Sequence, residues 1–244
     1  MELDELRRDW TRLGTKDPLW AVLSLPGKRG GSWDVEEFLS TGRADVDETV
    51  RWLDQLALPT QWGRALDFGC GVGRLSQALA GHADEVIGVD IAPPMLDAAR
   101  QLDRSGGKCR FILNDTADLS RFPDGHFDLV YSALVLQHLP RAAIDRYLIE
   151  FLRILRPGGV AVVQMPTKTM PTVKGMVWRV APYRLISWGQ RRLLGYPAPM
   201  RMTVVSDRHM AMVVTAHGGE IVGQRPDLPY VEDWRCTRYA LRRS

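Results

Sequence analysis

The strongest constraint on the fold sits between residues 64 and 79. An apolar run, Arg64-Ala-Leu-Asp-Phe68, passes without a linker into Gly69-Cys-Gly-Val-Gly73, after which Leu75, Ala78 and Leu79 recur at helical spacing. That order describes a strand, a sharp turn and a helix. Glycines at every second position admit backbone angles closed to other residues and leave bare peptide groups for a ligand to approach. The N–H groups at such a helix start suit an anionic group, most naturally a carboxylate. Taken alone, the triplet is equally a tight structural turn.

The pattern continues downstream. Glu85-Val-Ile-Gly-Val-Asp90 reads as a buried strand, residues 93–100 as a helix opened by two prolines, and Phe111 to Leu113 and residues 127–132 as further strands. Ile144, Leu148, Phe151, Leu152 and Leu155 share one helical face over residues 141–155, Pro157-Gly158-Gly159 ends that helix, and Val160 to Met165 forms a fifth strand. Strands alternating with helices of this length predict an α/β, Rossmann-like, mostly parallel sheet with helices on both faces, whose ligands bind beyond the carboxyl ends of the strands.

Four segments follow. Residues 1–60, with Trp10, Trp20, Trp33 and Trp52 and a helix expected over 47–56, form an N-terminal helical cap. Residues 61–165 are the Rossmann-like core, 166–202 an insertion, and 203–244 a helix at 207–217 with two final strands at 220–225 and 235–242. A chain of 244 residues suits one such domain. Six charges in the first ten residues and the lack of a long apolar run disfavour secretion and membrane spanning, and Cys70, Cys109 and Cys236 lack disulfide or metal spacing, so a cytoplasmic home and no metal are expected. Residues 151–206 hold nine Lys or Arg and no acid, a net +9 within a chain of net +3.

Acidic residues sit where the strands end. Asp67 lies two positions before Gly69, and Asp90 closes the second strand, where a carboxylate can accept both hydroxyls of a ribose or, alternatively, cap a helix. Asp115 follows the third strand and is either an acceptor for an adenine amino group, with the Thr116 backbone at the ring nitrogen, or a solvated loop acid.

Residues 65–75, Val89-Asp90, Asp115, Phe127-Asp-Leu-Val130 and Leu155-Arg-Pro-Gly-Gly159, in that order and spacing, resemble the class I S-adenosylmethionine-dependent methyltransferases across about residues 60–165. Arg74 stands where a nicotinamide-binding Gly-x-Gly-x-x-Gly would need its third glycine, leaving an NAD-dependent oxidoreductase a distant alternative. The resemblance implies a seven-stranded sheet whose last strands form a hairpin with one antiparallel strand. It also implies S-adenosyl-L-methionine as cofactor, held by Asp67, Gly69, Gly71, Gly73, Asp90, Ile91, Asp115 and Thr116. Asp17-Pro-Leu-Trp20, Gly31-Ser-Trp-Asp34 and Thr41-Gly-Arg43 look like a bacterial subgroup of sugar or small-molecule O-methyltransferases, so a hydroxyl on a saccharide or other small metabolite is the expected acceptor.

His138, after the fourth strand, is the candidate general base, against a purely structural role. Trp33 and Arg43 are candidate cofactor contacts, through an aromatic face and a guanidinium fork, with hydrophobic packing the competing role for Trp33. Tyr230 and Glu232 are further candidates for the acceptor pocket, while His82, His126, His209 and His217 are read as loop or structural. The basic insertion has three readings: attraction of anionic acceptors, contact with a membrane surface, or a lid or homodimer contact with solvated arginines, the last favoured. Pro182 breaks any single helix there, and nothing in the motifs points to nucleic acid. The competing class of function is a noncatalytic cofactor-binding protein on the same fold.

Overall fold

A computed structural model describes residues 3–227 and 233–243. Among them, seven strands form one sheet in the order β3-β2-β1-β4-β5-β7-β6. The strands are β1 Trp62–Phe68, β2 Ala83–Asp90, β3 Cys109–Leu113, β4 Phe127–Ser132, β5 Leu155–Thr169, β6 Gly219–Asp227 and β7 Trp234–Arg243. β1 to β5 pair in parallel, and β7 runs antiparallel to both β5 and β6. The sheet is thus seven-stranded and mostly parallel with one reversed strand in a terminal hairpin, as the resemblance implied.

The period-two alternation of the strands feeds two cores. Leu66, Ile87, Val130, Ala161 and Leu241 face a layer containing Ile144, Leu148 and Phe151 of α6 (Arg141–Ile154) and Met210 and Val214 of α9 (Asp207–Ala216). Their neighbours Ala65, Val86, Leu129, Val160 and Ala240 face Trp52 and Leu53 of α3 (Val35–Gln55), Leu79 of α4 (Arg74–Leu79) and Leu96 of α5 (Pro93–Leu102). A sheet buried on both faces is what near-continuous apolar strands require.

A third cluster unites the N-terminal helices α1 (Leu3–Lys16) and α2 (Pro18–Val22) with α3 and α5, through Leu13, Trp20, Trp33, Phe38, Val72 and Met95. The caps are local. Asp17 accepts the Trp20 N–H at 3.3 Å at the head of α2, and Asp34 accepts the Glu37 N–H at 2.8 Å at the head of α3. Gly14 lets α1 approach Met95 of α5, whose side chain would lie 3.1 Å from an added Cβ.

Two expectations change in detail. The helix over 141–155 stops at Ile154 without help from the Pro-Gly-Gly triplet. Residues 156–159 instead bulge within β5, whose register jumps from Phe127↔Leu155 to Leu129↔Val160 around Gly158 at φ +77°. β5 also runs past residue 165 to Thr169, because β7 continues to pair with it as far as Trp234. The insertion beyond it forms two helices, α7 (Val173–Val180) and α8 (Tyr183–Arg192), broken at Pro182 as its sequence predicts.

Beneath α3 lies a buried charged cluster. Asp45 binds Arg238 of β7 at 2.7 Å and Arg74 at 3.4 Å, and receives the Tyr131 hydroxyl at 3.0 Å. Burial alone would raise the Asp45 pKa, but the two guanidiniums outweigh it and hold the carboxyl below its ordinary range. Gly42 makes this approach feasible, since an added Cβ would stand 2.4 Å from the Arg74 carbonyl oxygen.

Candidate active site

The carboxyl ends of β1, β2 and β4 open into one cavity with an empty volume of ≈ 750 Å³, counting its open mouth. Gly69 and Gly71 form one wall, at φ +74° and +52°. Neither admits a side chain: an added Cβ would meet Val135 at 2.4 Å or Val22 at 2.6 Å. Asp90 spans the floor, its Oδ2 accepting the Gly71 N–H at 2.9 Å and its Oδ1 the Ala92 N–H at 2.9 Å. Burial raises its pKa above the usual carboxylate range, opposed by these two backbone donors. Each oxygen keeps a further acceptor site, so the carboxylate can still receive a pair of hydroxyls.

The other walls are largely apolar. α1 contributes Leu3, Leu6 and Trp10; α2 gives Val22; the stretch after β4 gives Ala133, Leu134, Val135 and Leu139. Leu134 adopts φ +64°, a conformation that costs a branched residue about 1–3 kcal/mol, and the buried Gln164 side chain pins its N–H at 2.9 Å. Strain of this kind beside a cavity marks the segment that delivers His138.

His138 ends a short 3₁₀ turn, Leu136–His138, and is 9% exposed. Its Nδ1 lies 2.6 Å from the Arg201 carbonyl oxygen, an acceptor only, so Nδ1 carries the proton and the Nε2 lone pair accepts from the Gln137 amide at 3.3 Å. Trp10 packs edge-on against the ring at 5.0 Å. Burial lowers its pKa to about 4, despite the opposing pull of the Arg201 and Leu134 backbone. The imidazole is therefore neutral at physiological pH.

Gly69, Gly71, Asp90, Ile91 and His138 line this cavity together. The remaining expected residues lie elsewhere. Asp67 is buried behind the turn, where its Oδ2 accepts the Ser76 hydroxyl at 2.6 Å and desolvation raises its pKa to about 6. Gly73 packs on Phe111 rather than on the cavity. Asp115 and Thr116 are exposed, and the cavity residue at that strand end is Asn114, whose amide donates to the Thr116 and Asp118 carbonyl oxygens at 3.2 Å each. Trp33 donates to the Leu23 carbonyl oxygen at 3.1 Å and packs on Phe38 inside the cap. Arg43 is on the outer face of α3, paired with Glu36 at 2.5 Å, beside a separate small cleft with Arg74 and Arg104. Both depart from the expected cofactor contacts because α3 begins at Val35 and turns its inner face to Arg74.

Tyr230 and Glu232 lie outside the described residues. His209 pairs with Asp145 at 2.8 Å and His217 binds the Val213 carbonyl oxygen. All three cysteines are free and buried, and burial pushes the Cys70 thiol well above its ordinary pKa. No three His, Cys, Asp or Glu of the described residues gather as a metal site, and no described helix is long and apolar enough to cross a membrane.

Residues 66–163 match the family described as Methyltransferase domain. A 2-methyl-6-phytyl-1,4-hydroquinone methyltransferase of a Synechocystis species is 32% identical over 63% of this chain and 48% of its own length. A demethylmenaquinone methyltransferase of Thermus thermophilus is 38% identical over 60% of this chain and 66% of its own. The chain thus spans about half to two thirds of these relatives. Magnesium protoporphyrin IX methyltransferase of Synechocystis, solved with bound S-adenosylhomocysteine, superposes over the whole of both chains with a TM-score of 0.68 at 19% identity, a likeness of fold. Over residues 66–163 the chain is thus similar to the class I S-adenosylmethionine-dependent methyltransferases, and its sheet order and glycine turn agree with that likeness.

Proposed function

We propose that the chain transfers a methyl group from S-adenosylmethionine to a hydroxyl on a small, largely apolar acceptor, with a hydroquinone-like ring the leading candidate. One observation carries this reading: the Asp90–glycine turn and the neutral His138 share a single cavity whose remaining wall, from α1, is apolar. The saccharide expected from sequence has less support. A sugar needs many buried partners for its hydroxyls, and Leu3, Leu6, Trp10, Leu134 and Leu139 provide none. The relatives above are named for quinone and porphyrin acceptors.

The residues present fit the cofactor. Asp90 has acceptor capacity for the ribose, Gly69 and Gly71 expose bare backbone for the amino-acid portion, and Ile91 and Asn114 complete the adenosine side. S-adenosylmethionine supplies an electrophilic methyl on a sulfonium. The protein's part is alignment and exclusion of water, which can be worth ~7–11 kcal/mol. His138 accepts the acceptor's hydroxyl proton at Nε2, in place of its 3.3 Å hydrogen bond from the Gln137 amide, while Nδ1–H stays on the Arg201 carbonyl. An imidazole of pKa about 4 is a weak base toward a resting hydroxyl but an ample one once the oxygen has gained a methyl and its proton has become strongly acidic. The three free thiols favour a cytoplasmic setting.

The test is calorimetry with S-adenosylmethionine, followed by detection of S-adenosylhomocysteine across hydroquinones, catechols and sugars. Turnover confined to sugars overturns the acceptor class; binding without turnover on any acceptor favours a noncatalytic cofactor-binding protein.

A further inference from the structure

The insertion after β5 presents an apolar stripe to solvent. On α7, Val173, Met176, Val177 and Val180 recur at the i, i+3, i+4, i+7 spacing that normally seats a helix on a core, yet they are 78%, 53%, 47% and 79% exposed. α8 continues the surface with Leu185 and Trp188, and Leu193 and Leu194 follow it at 73% and 53% exposure. An exposed apolar surface of this extent marks an interaction site.

Its charge says what kind. Lys168, Arg179, Arg184 and Arg192 flank the stripe and make no ion pair among the described residues; Lys174 and Arg191 are paired with Asp233 and Asp9. An apolar row edged by free cations fits a surface that is apolar within and anionic at its boundary. A second copy of the chain fits poorly, because a two-fold contact would set this cationic patch against itself.

We infer that α7, α8 and the Leu193-Leu194 turn dock on an anionic lipid bilayer, the apolar stripe entering the headgroup boundary and the arginines meeting lipid phosphates. The docked face joins the rim of the active-site cavity. Gln190 of α8 makes two hydrogen bonds to the Met200 backbone, and the next residue, Arg201, holds His138. Asp9 of α1, paired with Arg191, precedes the cavity residue Trp10. Delivery of a lipid-borne acceptor along this path rests on the apolar-acceptor reading; the docking itself does not.

Co-sedimentation with vesicles separates the outcomes. The full chain is expected to pellet with equimolar phosphatidylcholine and phosphatidylglycerol, weakly with phosphatidylcholine alone, and less as salt rises. Arg179→Gln with Arg192→Gln should lower partitioning about 30-fold, from roughly fivefold per cation. Val177→Asp with Val180→Asp should abolish it, while calorimetric binding of S-adenosylmethionine, unchanged in both variants, reports an intact fold. Equal pelleting with both vesicle types, binding that survives the Asp variants, or a dimer in sedimentation velocity that Val180→Asp dissolves would each overturn the inference. Docking without methyl transfer would leave it standing and count against the acceptor reading alone.

Discussion

Replacing His138 by Gln should alter how stability depends on pH. In the folded chain burial holds the imidazole at a pKa of about 4, against 6.5 for a free histidine. Between those values the unfolded chain binds a proton that the native one refuses. His138's contribution to stability is therefore complete above about pH 6.5 and is lost as pH falls toward 4. A gap of about 2.5 units at ~1.36 kcal/mol each amounts to about 3 kcal/mol. Glutamine does not titrate and retains a donor for the Arg201 carbonyl, so its stability lacks this component. Urea unfolding of both proteins from about pH 7 to about pH 4 should show the wild-type advantage shrinking by about 3 kcal/mol. The carboxylates titrate in both and cancel in the difference. Parallel curves would show that His138 is hydrated or already protonated, and would remove the neutral imidazole on which the proton step depends.

Other outcomes follow from the same geometry. Asp90→Ala should weaken S-adenosylmethionine binding by about 10- to 100-fold in calorimetry, through loss of charge-assisted acceptors worth ~1.5–3 kcal/mol. Gly71→Ala forces a Cβ to 2.6 Å from Val22 at a positive φ, and should lower both Tm and cofactor affinity; Val22→Ala in the same chain should restore part of each. Asp45→Asn strips the paired carboxylate from buried Arg74 and leaves buried Arg238 to Asp227 at 3.1 Å, and should cost about 3–5 kcal/mol in denaturant unfolding, with no direct effect on the cavity. Methyl transfer, once assayed, should show no histidine limb as pH drops from about 7 to about 5, since the base stays deprotonated throughout.

The legible part of this molecule was local. The strand-turn-helix at Gly69 and the strand ending at Asp90 are each written within a few residues, because glycine angles and apolar alternation act at short range. The Asn114–Asp115 step shows the limit: at a strand end, neighbouring side chains point opposite ways, so one residue of register exchanges a cavity group for a solvated one. Trp33 and Arg43 could not be placed because their roles depend on how α3 sits over Arg74, a contact between residues far apart in the chain. The cavity contributions of Leu3, Leu6 and Trp10 were hidden for the same reason: their helical pattern says only that some apolar surface awaits them.

The site is made from two unequal sources. The glycine turn and Asp90 belong to the sheet and its immediate loops, while the wall opposite them comes from the first helix and the anchor of His138 from the segment just beyond the arginine-rich helices. Grafting those two peripheral pieces from a relative with another preference should therefore redirect the chemistry to a new recipient and leave the methyl source untouched.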